Sequence, residues 1–214
     1  MLNSRGFTIL NRTKITKPLY NKSMSKITLN DVRKACISVS QDQKFGTYAN
    51  IEKYIYNKYK LNKDPGIIAL KIAYIDHTNS TNLRMDKSVT IAKLAEKIIN
   101  IDFDHRVRKG DLTLVDEIAN MGERKLLSFA SKYCTYHNHN AYNRDDYCIY
   151  DSIVRKMLPK LLKNIGAKTT QTKLCDYSTY CNAIDALIEH YNLHELECPR
   201  RELDWYIWWN YRDQ

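Results

Sequence analysis

The chain has 214 residues, 43% hydrophobic and 27% charged, which is the composition of a folded globular protein rather than a disordered one. At this length folding buries roughly 70% of the unfolded surface, so a core needs neither disulfides nor metals. Lys and Arg number 34 against 24 Asp and Glu, a net charge of +10. No run approaches the ~18 apolar residues of a membrane span, which excludes an integral membrane protein and points to a polyanion as partner.

Six Gly and four Pro are too few for a many-stranded β fold, which needs a turn every ~8–12 residues. Sixteen Tyr favour polar-tipped cores or wet aromatic surfaces. Cys36, Cys134, Cys148, Cys175, Cys181 and Cys198 contain no C-x-x-C pair, and no secretory h-region precedes them; reduced, mostly buried thiols are expected.

In chain order, residues 1–24 carry Arg5, Arg12, Lys14, Lys17 and Lys22 and no acid. They read as a basic flexible segment ahead of a helical domain at 25–214: an arm touching phosphates, an organelle transit peptide, or residues upstream of a natural start at Met24. Leu29, Val32, Ala35, Cys36 and Val39 fall at helical steps behind a Thr28 or Asn30 cap. Tyr48, Ile51, Ile55 and Tyr59 mark a second helix, and Asp64-Pro65 opens a third through Ile75. Asp86 or Ser88 is expected to cap a fourth, with Ile91, Leu94, Ala95, Ile98 and Ile99 inward. Gly110-Asp111 breaks the chain before Leu112, Val115, Ile118 and Ala119, and residues 123–136 form a further helix. His137 to Asp146 reads as a polar loop. Helices follow at about 151–164, with Pro159 a kink, at 178–192 and at 199–211. The expectation is an all-α fold of eight or nine short helices without internal repeats.

The chemistry concentrates around Lys132 and Asp151. Lys132 lies among Phe129, Ala130 and Tyr133, so its amine either snorkels to water or is desolvated, which lowers its pKa. Asp151 stands where the extended Tyr147-Cys-Ile-Tyr150 run meets a helix, and its carboxylate either caps that helix or does more. An amine nucleophile and a carboxylate facing one cleft can form and manage a Schiff base.

This arrangement resembles the helix-hairpin-helix DNA glycosylases of the endonuclease III and 8-oxoguanine glycosylase superfamily. They place a catalytic lysine on the helix after the hairpin and a catalytic aspartate at a following helix start. Here the two stand 19 residues apart, within a residue or so of that family's separation. Cys148-Ile-Tyr-Asp151-Ser-Ile-Val154-Arg-Lys156 is similar to the second motif, with Lys156 in its basic position. Ile75-Asp-His-Thr-Asn79-Ser-Thr-Asn82-Leu-Arg84-Met85 resembles the polar helix-start segment that fills the stack behind a flipped base. The resemblance covers roughly residues 65–214 and departs in three places. The residues before Lys132, Leu126-Leu-Ser-Phe-Ala-Ser131, lack the hairpin glycines, and Ile153 stands where the family has histidine. Cys175, Cys181 and Cys198 also lack the spacing of an iron–sulfur cluster. The compact branch typified by archaeal 8-oxoguanine glycosylases is the better match.

The resemblance implies two helical lobes flanking a base-flipping cleft and a degenerate hairpin. It implies a glycosylase with AP lyase activity, Lys132 as nucleophile on C1′ and Asp151 as its assistant. It makes double-stranded DNA with a modified base the partner, 8-oxoguanine first and a hypermodified phage base second. No cofactor, no metal and no membrane are expected, and a monomer is. Tyr136, one turn after Lys132, and Trp208 or Trp209 are expected to stack on the base; Asn79, Asn82, Arg84, Lys125 and Lys156 are expected to meet DNA. Such an enzyme belongs in the cytoplasm at the nucleoid of a prokaryote, or in the nucleus or an organelle of a eukaryote. Three rivals stand beside it. Cys134, His137, His139 and Cys148 are soft or borderline ligands around one loop and suggest a zinc-stapled nucleic-acid module. A catalytically silent DNA-binding version would use the basic loops at Arg106, Arg108, Lys109, Arg124 and Lys125. A metal nuclease would draw on Asp102, Asp104 and Asp111.

Overall fold

In the computed structural model, which describes residues 26–213, apolar periodicity and local caps produce an all-α protein. Ten α-helices are α1 Leu29–Gln41, α2 Gln43–Lys58, α3 Pro65–Asn79, α4 Ile91–Ile99, α5 Phe103–Arg108, α6 Thr113–Ala119, α7 Leu127–Tyr142, α8 Ser152–Asn164, α9 Tyr177–His190 and α10 Pro199–Tyr211. Two 3₁₀ turns, Leu83–Met85 and Lys173–Cys175, join them, and the described residues contain no strand. The expected basic segment at 1–24 lies outside the described residues.

Several starts are fixed by side chains that satisfy the first unpaired N–H groups of a helix. Thr28 Oγ1 accepts from Asp31 N, and Asp64 Oδ1 accepts from Ile67 N at 3.0 Å with Pro65 in the first turn. Two boundaries differ from expectation. The cap of α4 is Thr90, because the Asp86 carboxylate is engaged by Ser88 and by the backbone N–H of Arg124; Ile91 is accordingly exposed. The stretch after His137 is no loop: α7 continues to Tyr142. His137 and Asn138 are buried and find partners across the core, so their polarity does not end the helix. His137 Nε2 lies 3.2 Å from Asp104, and Asn138 Nδ2 donates to Val107 O and Asp146. The helix stops at Asn143 in the left-handed region (φ 53°).

Helix α7 is the central post. It packs against α2, α3, α5 and α6, while α10 packs against α1, α8 and α9. One apolar cluster runs through all of them. The tyrosines are largely polar-tipped core: Tyr56, Tyr133, Tyr147, Tyr177 and Tyr180 are fully buried. Two of them solve a backbone problem. Tyr147–Ile149 is buried without being helical, so its peptide groups need partners. Tyr177 Oη donates to Cys148 O and accepts from Cys148 N, Tyr180 Oη donates to Ile149 O, and Tyr150 N donates to Ser131 Oγ. The strut so held ends on Asp151.

Candidate functional site

A cavity of about 360 Å³ opens where α2, α3, α7 and α10 meet the start of α8. Lys132 reaches it from α7, one turn before Tyr136, and Asp151 from the head of α8. The lysine does not snorkel: it is 4% exposed, and its Nζ donates to Ser128 Oγ at 2.9 Å. Burial pushes its pKa down, while the Asp151 and Asp204 carboxylates pull it back up. Asp151 does two things at once. Its Oδ1 accepts from the N–H groups of Ile153 and Val154, capping α8, and its Oδ2 lies 4.0 Å from Lys132 Nζ. The cap fixes the carboxylate's direction, and the strut behind it fixes its position.

Asp204 of α10 completes a buried triad of charges that the sequence did not suggest. It is 6% exposed, and burial, then the neighbouring Asp151, push its pKa up, while Lys132 and Arg201 pull it back down. Behind it a buried ion pair joins Arg201 Nη2 to Glu52 Oε1 at 2.6 Å, with Asn140 Nδ2 donating to the same oxygen. The Arg201 guanidinium is flanked by the rings of Tyr136 and Trp205, 5.2 and 5.1 Å away. Arg201, Asp204, Trp205 and Trp208 share one face of α10 at steps of three and four, a pattern visible in the sequence once the Trp-rich helix is drawn as a wheel.

The expected aromatic walls divide. Tyr136 lines the cavity and donates from its hydroxyl to Asn79 Oδ1 at 2.8 Å; Trp208 lines it too, edge-on to Phe45. Trp209 does not: it faces Arg212, and Trp205 stands in the wall instead. The Asn79–Asn82 segment is the end of α3 and the turn after it, and Asn82 precedes the short 3₁₀ turn Leu83–Met85 without capping it through its side chain. Asn79 reaches the cavity, whereas Asn82 is exposed, left-handed at φ 56°, and bonded to Ser80 O. Arg84 and Lys156 are exposed. Lys125 is paired with Asp116 at 3.0 Å. A shallower hollow of about 270 Å³, lined by Ser80, Ser128, Ser152 and Arg155, adjoins Asn79 and Asp151.

The turn between α6 and α7, residues 120–126, holds one glycine, Gly122. A Cβ there would overlap the Asp86 carboxylate. Two of the turn's N–H groups are held internally, Arg124 N by the Asp86 carboxylate and Glu123 N by Ser88 Oγ. Arg124 itself clamps Thr81 O and Asn82 O.

The rival constellations disperse. His137 turns to Asp104 and to the buried Lys71, His139 lies 3.4 Å from Cys198 Sγ, and Cys148 neighbours Cys181. The described residues contain no group of three or more His, Cys, Asp or Glu placed to hold a metal. Asp102 faces His105, Asp104 accepts from Asn62 N, and Asp111 holds Arg106 and Thr113, so these three acids do not converge. Asp102 makes no side-chain cap for α5. Lys71 is the other buried lysine, its pKa pushed down to about 8 by burial, but its Nζ is held by Asn62 Oδ1 at 2.8 Å and it lines neither hollow described above.

These features define a small all-helical protein with a lysine–carboxylate cavity. A family model described as HI_0787_N, N-terminal domain, matches residues 31–142, just over half of the chain, and the chain belongs to that family. The match includes Lys132 and Tyr136 and stops before Asp151. An uncharacterized protein of Haemophilus influenzae is 32% identical over 142 residues, 63% of this chain and 64% of its own length. The chain thus spans just under two thirds of that relative. No solved structure matches. No helix of the described residues is long and apolar enough to cross a membrane.

Proposed function

We propose that this protein is a DNA glycosylase with an associated lyase step, acting on a modified base in double-stranded DNA. The observation that carries the proposal is the desolvated Lys132 amine 4.0 Å from the Asp151 carboxylate, inside a cavity walled by Tyr136 and Trp208. A buried amine favours its neutral form, which is the nucleophilic one. A cavity of about 360 Å³ suits one extruded base with its sugar, which a duplex otherwise hides. In this account the helices flanking the cavity serve as two lobes gripping DNA.

The chemistry needs no group beyond these side chains. Lys132 Nζ attacks C1′ as the bond from C1′ to the base breaks, and the base leaves with the electron pair and gains a proton. Asp151 stabilises the cationic sugar, takes the proton released by the new ammonium and passes it to the departing base. Opening of the sugar ring gives a Schiff base, and loss of a C2′ proton then expels the 3′ phosphate. 8-Oxoguanine is the first substrate to try and a hypermodified phage base the second. The test is single-turnover excision across a panel of duplexes, each with one modified base. Release of at least one base by the wild type and none by Lys132→Gln supports the proposal; no release from any duplex, with binding intact, leaves a silent DNA-binding protein.

A further inference from the structure

A second hollow, of about 950 Å³, opens around the C-terminal end of α7 and plays no part in the chemistry above. Asn140 lines it, two turns or ~12 Å along α7 from Lys132. Four exposed cations line it from separate parts of the fold: Lys53 on α2, Lys60 just past its end, Arg108 at the end of α5 and Arg144 after α7. One carboxylate, Glu197, accompanies them. Arg144 is bound to Asp146, but no ion pair joins Lys53, Lys60 or Arg108 to an acid of the described residues. The Arg108 guanidinium lies 5.9 Å from the centre of the Tyr142 ring, which also lines the hollow. His139 adds no charge at neutral pH, because burial, then Arg201 and Lys53, push its pKa down to about 4. The exposed amides of Asn57 and Asn143 supply further donors.

Cations gathered around one concavity repel each other, and its low-dielectric walls focus their field on whatever enters. A single phosphate leaves most of that charge unanswered, and a duplex spreads its charges along a helix instead of packing them into a hollow. A short chain of linked phosphates puts several charges into one compact group, and Arg and Lys bind such oxygens by charge-assisted hydrogen bonds. The volume is that of a small-molecule site. We infer that this hollow is a binding site for an oligophosphate, either free or as the tail of a nucleotide. The site uses neither Lys132 nor Asp151 and stands apart from the glycosylase proposal.

The test is isothermal titration calorimetry of the full chain with tripolyphosphate, ATP, orthophosphate and a short unmodified duplex, at about 0.15 M salt and without divalent cations. Tripolyphosphate is expected to bind at one site, at least about tenfold more tightly than orthophosphate. Lys60→Gln combined with Arg108→Gln should weaken it by about tenfold or more. Lys87→Gln combined with Lys163→Gln removes the same charge from exposed positions elsewhere and should change it by less than about twofold. ATP no tighter than tripolyphosphate identifies a free chain as the ligand; ATP tighter, and equally sensitive to the hollow variant, identifies a nucleotide. Either result supports the site. If thermal melting shows that the double variant has lost its fold, Arg108→Gln alone decides. No saturable binding of tripolyphosphate, orthophosphate binding as tightly, or an equal loss in both variant pairs overturns the inference. So does duplex affinity that is lost in the hollow variant while tripolyphosphate fails to compete for it, which would make the hollow a DNA surface.

Discussion

At Asp151 a structural task and a chemical one fall on different oxygens of the same carboxylate, so substitution can separate them. Asn keeps a cap for α8, whereas Ala loses it at about 1 kcal/mol. Asp151→Asn is therefore expected to melt within a degree or two of wild type while turnover falls by about 100-fold or more, and Asp151→Ala to lose turnover and stability together. Differential scanning calorimetry beside single-turnover kinetics checks both; equal stability losses would mean that Oδ1 is not the cap. The amine makes a second prediction. Lys132 must shed its proton to attack, so activity should rise with pH through its lowered pKa. Asp204 pulls that pKa up, so Asp204→Asn should shift the acidic limb of the pH–rate profile to lower pH. A shift to higher pH, or none, would remove Asp204 from the account.

At the scale of elements, much was legible in the sequence. Asp64-Pro65, Thr28 and the period of apolar residues give α1 and α3 nearly as they stand, and the Tyr147–Tyr150 strut was visible as an extended run ending on Asp151. The end of α7 was not, because polar residues such as His137 and Asn138 read as surface unless their buried partners on α5 are known. Asp204, Arg201 and Glu52 escaped for a similar reason: each is an ordinary charged residue on its own helix, and only the packing of α1 against both α2 and α10 brings them together. The α6–α7 turn offers a test of packing at this scale. Gly122→Ala would force the Asp86 carboxylate aside and with it the bonds that hold Glu123 and Arg124. A loss of about 1–3 kcal/mol is expected from chemical denaturation, along with weaker excision, since this turn leads into the helix that carries Lys132. Unchanged stability would show that the turn relaxes freely.

Across the whole molecule, the charge of +10 proves to be unevenly available. The cluster expected as a basic loop at 106–109 is mostly the last turn of α5; there Arg106 is bound to Asp111 and Glu117, and elsewhere Lys125 is bound to Asp116 and Arg144 to Asp146, so these charges are neutralised internally. Arg124 is spent on two carbonyls. Arg84 stands exposed in the 3₁₀ turn Leu83–Met85, just after the Asn79–Asn82 segment. Arg84→Ala should lower the slope of log K against log salt for duplex DNA by about 0.9, the value of one phosphate contact, whereas Lys125→Ala should leave it unchanged. The opposite ranking in a salt titration would place the DNA against the α6–α7 turn instead. The account as a whole stands on a covalent bond between Lys132 and C1′. Borohydride reduction during reaction with the duplex the protein prefers should trap one protein–DNA adduct, with Lys132 identified by peptide mass spectrometry and no adduct from Lys132→Gln. Trapping that survives Lys132→Gln, or excision by the wild type with no adduct at all, would contradict it.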